Sequence, residues 1–502
     1  MLFWKFSKRI ISYIESPRIP LFYCFLIFLS AVTLRNFLEL FSDTAQISLT
    51  FYPAWHPLFF SVWLGLCISF LHYYALWLAL FLALAIILST LTKEDISKVL
   101  KTVFAFSIIV NITPVLDLLV SGGKGMNISY LYPKNLLEFL PVPKGLTPGM
   151  ILTSGTGIGL SFIYGKVKTN SSLKGFISSL SFYLLLAAAS MLPLLLNVRH
   201  PLPIIRFLSI VVFMESLIVF YRLKKSYFIC LFKDIRWLRL LHFYSMLILG
   251  MILAGAPLPG ILKQNAGAFL LILLSTSLCW LVAVIFNNIE DLGIDKITNP
   301  GRPLASAAIP KQDYLRIAGA LSCLALVMAL AVNFITFFFA LLLIGNSLLY
   351  SLPPLRLKRV PIFSKFFISF NSLLAVMLGY IFSGRQLLAF PEIISWYFLV
   401  FITLSLNFID LKDYAGDKEA GIRTLPVIFG PKKAKFIIGL FFLASYAALA
   451  GVFVDRRLLA PALAAGVTQF LLINRKSYRE KPVLLTYLIS VSGVFIYLIF
   501  LS

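Results

Sequence analysis

Apolar segments of about 20 residues recur along the chain and are separated by short charged breaks. Because a helix needs about 20 apolar residues to cross the hydrocarbon core of a bilayer, each of these segments predicts one membrane span. Helices satisfy their own backbone hydrogen bonds in lipid, so runs of this kind favour spanning helices over a barrel. We count roughly fourteen or fifteen candidate spans by that length. The chain is therefore expected to be an all-α, polytopic transmembrane helical bundle.

Residues 1–221 are expected to form an amino-terminal membrane domain of five to six helices. Residues 1–19 mix basic and aromatic side chains and predict an interfacial amphipathic helix. The apolar run over 57–92 is too long for one straight helix, so we expect a short interfacial or re-entrant piece followed by one span over 72–91. The other expected spans are 20–40, 103–120, 151–165, 176–196 and 207–221. The sequence of this domain does not indicate its function.

A basic, amphipathic stretch at 222–236 is expected to join this domain to a second one, residues 237–502. Nine spans are expected in the second domain: 237–255, 266–286, 314–332, 334–350, 364–383, 393–409, 436–454, 458–473 and 483–502. An offset of four spans separates two acidic segments in this region, which suggests two similar four-helix halves around a central cavity. The ninth span would complete the bundle.

Each acidic segment lies where an apolar span ends. The polar positions recur every three or four residues, which fits the helical period of 3.6 and places each set on one face of a helix. They are Asn287, Asp291 and Asp295 in the first segment and Asp410, Asp413 and Asp417 in the second. We therefore expect both sets to point the same way.

Converging carboxylates need cations. Two like charges about 5 Å apart repel by roughly 3 kcal/mol at an effective dielectric of about 20. Carboxylate and amide oxygens are hard ligands that suit Mg²⁺, which keeps several waters and is commonly shared with substrate phosphates. The two segments therefore predict a diphosphate bridged by magnesium.

The two segments resemble the signatures of the UbiA superfamily of intramembrane prenyltransferases. The matching positions are Asn287, Asn288, Asp291, Asp295, Arg302 and Pro303 in the first signature, and Asp410, Asp413, Asp417, Gly421, Arg423, Thr424, Leu425 and Pro426 in the second. The resemblance covers roughly residues 230–502. Asn288 departs from the family pattern, which has Asp there, and is expected to remove one charge from the first site.

The resemblance implies a nine-helix fold and a Mg²⁺-dependent transfer of an isoprenyl group from a prenyl diphosphate. The lipophilic acceptor would be aromatic, a tetrapyrrole or a glycerol phosphate. Metal ligands for an expected two Mg²⁺ ions would be Asn287, Asp291, Asp295, Asp410, Asp413 and Asp417, with the five aspartates serving catalysis. Substrate contacts would come from Asn287, Arg302, Tyr350, Lys358, Arg359, Lys412 and Arg423.

The formal charge of +24 could suggest a nucleic-acid partner, but its distribution argues for membrane topology instead. In the second half, about 24 lysines and arginines fall in alternate loops and about four in the intervening ones. The positive-inside rule assigns the first set, and with it both acidic segments, to the cytoplasm. We therefore expect membrane lipid and no nucleic acid around the protein. The five cysteines have no pairwise spacing typical of a zinc site, and the sequence specifies no oligomeric state.

Two alternatives stay open at this point. A transferase that uses phosphoribosyl diphosphate and a polyprenyl phosphate could employ the same metal clamp, and a polar, ribose-sized donor pocket would distinguish it from a long apolar tunnel. A transporter or lipid-handling protein is the second alternative. Broken helices with polar residues near mid-membrane would favour it, whereas here the acidic groups cluster at helix ends.

Overall fold

The computed structural model describes residues 2–42, 59–122, 145–198, 201–255, 258–360 and 363–500. Throughout these ranges the regular secondary structure is helical, which confirms the predicted all-α class. Thirteen of the described helices are long and apolar enough to cross a membrane, and one bent pair would make fourteen. The protein is a multi-pass integral membrane protein.

The chain divides into two compact units, residues 1–225 and 226–502. Helices in the first unit are α1 (Leu2–Ile14), α2 (Leu21–Ser42), α3 (Phe59–Thr92), α4 (Ile96–Ala105), α5 (Ile112–Val120), α6 (Pro148–Thr169), α7 (Ser172–Ser190), α8 (Leu192–Leu195) and α9 (Pro201–Leu223). A 3₁₀ turn, Phe106–Asn111, joins α4 to α5. Five segments of this unit pass the length and hydropathy test for spans.

Helix α3 corrects one sequence prediction. We expected a short piece followed by a span over 72–91, but Phe59–Thr92 is one helix of 34 residues. Its sequence contains no proline and only Gly65 as a weak helix former, so the backbone has no reason to break. The amino-terminal part of the predicted piece, residues 57 and 58, lies outside the described residues.

The first unit also holds a buried polar cluster around Glu15. Lys168 forms an ion pair with Glu15 and a second one, at 3.2 Å, with Glu94. The Tyr164 hydroxyl donates to Glu15 at 3.0 Å. Because Glu15 is only 8% exposed, these partners compensate a carboxylate that would otherwise be costly to bury.

The second unit contains α10 (Lys225–Lys233), which begins at the boundary, followed by the nine-span region. Its helices are α11 (Trp237–Leu253), α12 (Leu258–Glu290), α13 (Leu292–Thr298), α14 (Lys311–Val332), α15 (Phe334–Ser351), α16 (Phe363–Phe382), α17 (Glu392–Tyr397), α18 (Thr403–Ser405), α19 (Asp410–Glu419), α20 (Leu425–Phe429), α21 (Pro431–Val452), α22 (Leu459–Asn474) and α23 (Glu480–Phe500). Eight of the nine predicted spans pass the length and hydropathy test, with α17 to α19 acting as one, and the bent pair α10 and α11 would make the ninth. The separate junction at 222–236 stays a prediction.

Helices α11 and α16 pack with their backbones in contact. A side chain on Gly250 would overlap the carbonyl oxygen of Val376, and one on Gly379 would overlap that of Leu247. Glycine allows this approach because it has no Cβ atom. The first and fifth spans are therefore held together at the level of Gly250 and Gly379.

The span that carries the second acidic segment is irregular. After α17 the backbone widens into a π-helical stretch, Phe398–Ile402, and later tightens into a 3₁₀ stretch, Leu406–Ile409, directly before Asp410. The Ser369 hydroxyl donates to the Phe398 carbonyl at 2.5 Å. An inserted residue of this kind changes which way all following side chains point, so it sets the direction of the second acidic set.

Candidate functional site

Both acidic segments line one cavity of about 330 Å³ in the second unit. The first segment reaches it from the end of α12 and from α13, and the second from α19. The lining includes all six predicted metal ligands: Asn287, Asp291, Asp295, Asp410, Asp413 and Asp417. The expectation that the two sets point the same way therefore agrees with the geometry.

The carboxylates of the first segment are paired with cations. Lys358 donates to Asp291 at 2.6 Å and approaches the Asn287 side-chain oxygen at 3.5 Å. Arg302 forms an ion pair with Asp295, which is 2% exposed. Burial lowers the pKa of the Lys358 ammonium, and the Asp291 carboxylate opposes this shift.

The second segment is less fully paired. Lys365 donates to Asp410 at 2.6 Å, and both side chains are buried. Among the described residues, no lysine or arginine forms an ion pair with Asp413 or Asp417, although both line the cavity. Asp417 is 8% exposed. These two carboxylates are therefore the ones that most need a cation from elsewhere.

The predicted substrate contacts divide into two groups. The side chains that line the cavity are Asn287, Arg302, Tyr350, Lys358 and Lys412. Arg359 and Arg423 do not line it and are exposed. Lys358 is the middle residue of a single 3₁₀ turn, so its neighbour Arg359 points elsewhere. Arg423 lies between the lining residues Ile422 and Thr424, in a tight turn that is closed by a hydrogen bond from the Thr424 amide to the Ile422 carbonyl at 3.0 Å.

Asn288 also differs from expectation. Its side chain is 1% exposed and does not line the cavity. It donates to Asp234 at 2.6 Å and to Tyr314 at 3.0 Å, and it accepts from Arg236 at 2.8 Å. The absence of a carboxylate at this position therefore removes no charge from the cavity lining itself.

Sequence reasoning missed three cations that line the cavity: Arg236, Arg239 and Lys365. Arg239 pairs with Glu480 at the start of α23, and Lys412 joins the same carboxylate at 2.8 Å. The spacing of three residues from Arg236 to Arg239 is not a helical signal, because Arg236 precedes α11 and has a left-handed backbone conformation. Nothing in the sequence around Lys365 distinguishes it from the lysines and arginines that only mark the cytoplasmic side of a membrane protein.

We call the part of the cavity that is lined by the two acidic segments and the cations around them the charged opening. The rest of the cavity wall is apolar and aromatic. The lining side chains there include Met246, Leu249, Trp280, Ile368, Phe398, Phe442, Leu449, Val452, Val491 and Val494. A ligand with a charged head and a hydrocarbon tail would find a matching surface for each part.

The donor set fits magnesium in chemical type. It consists of carboxylate oxygens and one amide oxygen, which are hard ligands. Within the described ranges, no three Asp, Glu, His or Cys side chains are close enough to hold an ion by themselves. Mg²⁺ that is shared with the phosphates of a ligand needs only one or two carboxylates from the protein at each ion, so the arrangement is compatible with a bridged ligand.

Comparison with known proteins supports the same identification. The model of the UbiA prenyltransferase family matches residues 243–497. The chain is 34% identical over 182 residues to digeranylgeranylglyceryl phosphate synthase of Sulfolobus acidocaldarius, covering 35% of this chain and 64% of that protein. It is 33% identical over 198 residues to the enzyme of the same name from Thermococcus sibiricus, covering 39% of this chain and 67% of that protein.

A plant protein and a solved structure are also similar. The chain is 34% identical over 179 residues to the chloroplastic 2-acyl-4-prenylphloroglucinol 6-prenyltransferase of Humulus lupulus, covering 33% of this chain and 43% of that protein. The structure of a UbiA homolog from Archaeoglobus fulgidus bound to GPP and Mg²⁺ is 21% identical, with a TM-score of 0.44, covering 54% of this chain and 97% of that one.

The matches to the three curated relatives span between 43% and 67% of their lengths. The family match takes in both acidic segments and extends over half of the chain. On this basis the chain belongs to the UbiA prenyltransferase family.

Proposed function

We propose that this protein is an integral-membrane, Mg²⁺-dependent prenyltransferase that moves an isoprenyl group from a prenyl diphosphate to a lipophilic acceptor. One observation carries the proposal: two sets of carboxylates from different spans line one cavity whose deeper wall is apolar. The charged opening suits a diphosphate, and the apolar wall suits an isoprenoid tail better than a ribose.

Cationic side chains of the cavity would bind the donor and stabilise its departure. Breaking the C–O bond of an allylic diphosphate develops negative charge on the leaving oxygens, and preorganised cations favour that change. The cations that line the cavity are Arg236, Arg239, Arg302, Lys358, Lys365 and Lys412. The ring of Tyr350 would shield the allylic cation, a contact worth about 2 kcal/mol when desolvated.

Magnesium, when bound, would supply Lewis-acid stabilisation of the departing diphosphate. We assign one ion to each acidic segment. Asp413 and Asp417 are the strongest candidates to hold one, because they line the cavity without an ion-pair partner among the described residues. Asp291 and Asp295, with Asn287 as a neutral oxygen, would hold the other.

The acceptor is proposed to be aromatic, a tetrapyrrole or a glycerol phosphate. The names of the relatives refer to a glyceryl phosphate and to an acylphloroglucinol, which fall in two of these classes. We further propose that the charged opening faces the cytoplasm, because the basic loops of the second unit lie at the same helix ends as the acidic segments.

The proposal is tested with the full-length protein in lipid nanodiscs, using allylic diphosphates of increasing chain length and one acceptor of each class. We expect transfer that requires Mg²⁺ and stops with a chelator. Asp413→Asn should lower kcat/KM by about 100-fold, the range found when one stabilising group is removed from an active site. Asp455→Asn is the matched control, because Asp455 lies beyond the far end of α21 and outside the cavity lining.

Two results would overturn the proposal. One is transfer that proceeds equally well in a chelator. The other is a wild-type protein that neither binds nor turns over any allylic diphosphate when Mg²⁺ is present.

A further inference from the structure

A polar pair lies in the cavity where the charged opening gives way to the apolar wall. Helix α11 presents Arg239, His242 and Met246 to the cavity in that order. With a rise of 1.5 Å per residue, His242 lies about 4.5 Å deeper than Arg239 along the helix. Tyr487 lines the cavity from α23, two turns beyond Glu480, the partner of Arg239.

We assign the protons of this pair from its hydrogen-bond partners. The Ser372 oxygen lies 3.1 Å from the Ile368 carbonyl, and we assign its proton to that bond, which leaves the oxygen to accept from His242 Nε2 at 2.7 Å. His242 Nδ1 then carries the lone pair and accepts from the Tyr487 hydroxyl at 3.0 Å. Ser372 does not line the cavity, so the chain runs from the cavity through Tyr487 and His242 into the protein.

In this assignment the Tyr487 oxygen, on a side chain that lines the cavity, has acceptor capacity left. The Tyr487 hydroxyl donates its proton to His242, and the lone pairs of its oxygen are left for a donor in the cavity. The natural donor to such an oxygen is a hydroxyl group. His242, whose second nitrogen is already protonated and bonded to Ser372, can take one further proton at Nδ1.

We propose that Tyr487, backed by His242, accepts the proton of a hydroxyl acceptor during transfer. The inference rests on the proposed prenyltransferase function and specifies its acceptor as an oxygen nucleophile. The acceptor oxygen forms the new C–O bond to the prenyl carbon while the bond from that carbon to the diphosphate breaks. The acceptor proton passes to the Tyr487 oxygen as the tyrosine proton passes to His242 Nδ1, and the diphosphate leaves with the bonding pair. Tyr487 is thus a catalytic residue, and His242 acts through it as a positioning residue and proton store.

Two substitutions separate proton transfer from packing. Tyr487→Phe removes only the hydroxyl. His242→Asn places an amide oxygen near the position of Nδ1, so it can still accept from Tyr487 but cannot take up the proton. Tyr380→Phe is the matched control, because the Tyr380 hydroxyl is also buried, donates to the Ala389 carbonyl at 2.8 Å and lies outside the cavity lining.

The experiment measures single-turnover transfer to a long-chain glycerol phosphate and to a phenol, together with donor binding, for the full-length protein in nanodiscs. We expect both cavity variants to transfer about 100-fold more slowly, within the usual range for general acid–base catalysis. Donor affinity and thermal stability should match those of Tyr380→Phe, which should transfer at the wild-type rate.

The outcomes distinguish this inference from the function on which it rests. If Tyr487→Phe or His242→Asn transfers at the wild-type rate, the proposed proton transfer through Tyr487 to His242 is overturned. The prenyltransferase function is then unaffected. Loss of donor binding in parallel with transfer also overturns it, because the pair would then be structural. A wild-type protein that transfers only to carbon acceptors overturns this inference and leaves the prenyltransferase function intact, whereas one that binds no prenyl diphosphate overturns both proposals.

Discussion

Asn288 illustrates how a residue inside a sequence signature can serve the structure around a site. Its amide donates to one carboxylate, Asp234, and accepts from the neighbouring guanidinium of Arg236. An amide can do both, whereas an ionised carboxylate has no proton to donate. The residue therefore holds Arg236, which does line the cavity.

Asn288→Asp tests this interpretation. The new carboxylate would face Asp234 across a contact that is 2.6 Å long with the amide. Losing the donor and adding a like charge should destabilise the protein by about 1–3 kcal/mol, seen as a lower melting temperature in nanodiscs.

The double variant Asn288→Asp with Asp234→Asn exchanges the amide and the acid and provides the control. It should recover most of the lost stability, because one donor and one carboxylate again face each other. A single variant that is as stable as the wild type and binds Mg²⁺ more tightly would instead place this side chain among the metal ligands.

At the scale of helices, the contact between α11 and α16 determines the spacing of two walls of the cavity. Helix α11 contributes Arg239 and His242 to the lining, and α16 contributes Lys365. The paired glycines, Gly250 and Gly379, hold the two backbones together about two to four turns deeper. A wider spacing at the glycines would shift the cations relative to the carboxylates that they contact.

Gly250→Ala and Gly379→Ala should each separate the helices, since the added methyl would overlap a backbone carbonyl that cannot rotate away. Overpacking of this kind typically costs about 1–3 kcal/mol, so we expect a lower melting temperature and weaker binding of prenyl diphosphate. Gly319→Ala on α14 is the matched control, because nothing lies within 4 Å of its added methyl. Equal melting temperatures for all three variants would contradict the close contact.

How far the sequence predicts these elements depends on what marks their ends. The helices that correspond to the nine predicted spans have bounds close to the predicted ones, because Lys, Arg, Pro or Gly residues interrupt the apolar runs there. The π-helical stretch at Phe398–Ile402 has no such mark, and the Phe398 carbonyl within it accepts from Ser369, a residue 29 positions away in the chain. Helix α3 was divided wrongly because the length of the run and the lysines that follow it were used, although residues 59–92 contain no proline.

The candidate site, too, contains features that the sequence marks and features that it does not. The helical period was enough to predict that Asp291, Asp295, Asp410, Asp413 and Asp417 face together. It could not separate Lys358 from Arg359, because adjacent residues in a loop have no fixed period. The His242 and Tyr487 pair joins positions 245 residues apart, and a contact of that range leaves no local pattern in the chain.

For the molecule as a whole, charge is distributed unevenly between the two ends of the second unit. Of its 25 lysines and arginines, 21 lie in the loops and helix ends on the side of the acidic segments, and four lie on the other side: Lys263, Arg385, Arg456 and Arg457. Moving the basic loops across a bilayer is unfavourable, so this excess favours keeping that side in the cytoplasm. Water-soluble diphosphate would then enter from the cytoplasm, while the hydrocarbon tail lies within the membrane.

This orientation is tested by labelling single cysteines in a variant whose five native cysteines are replaced. Glu419→Cys marks the end of α19 on the acidic side, and Arg456→Cys marks the opposite side; both positions are exposed. In intact cells, a membrane-impermeant maleimide should label Arg456→Cys at once and Glu419→Cys only after permeabilisation. Labelling of both positions in permeabilised cells is the control for reactivity. The reverse pattern in intact cells would place the charged opening outside, and the positive-inside argument for this protein would fail.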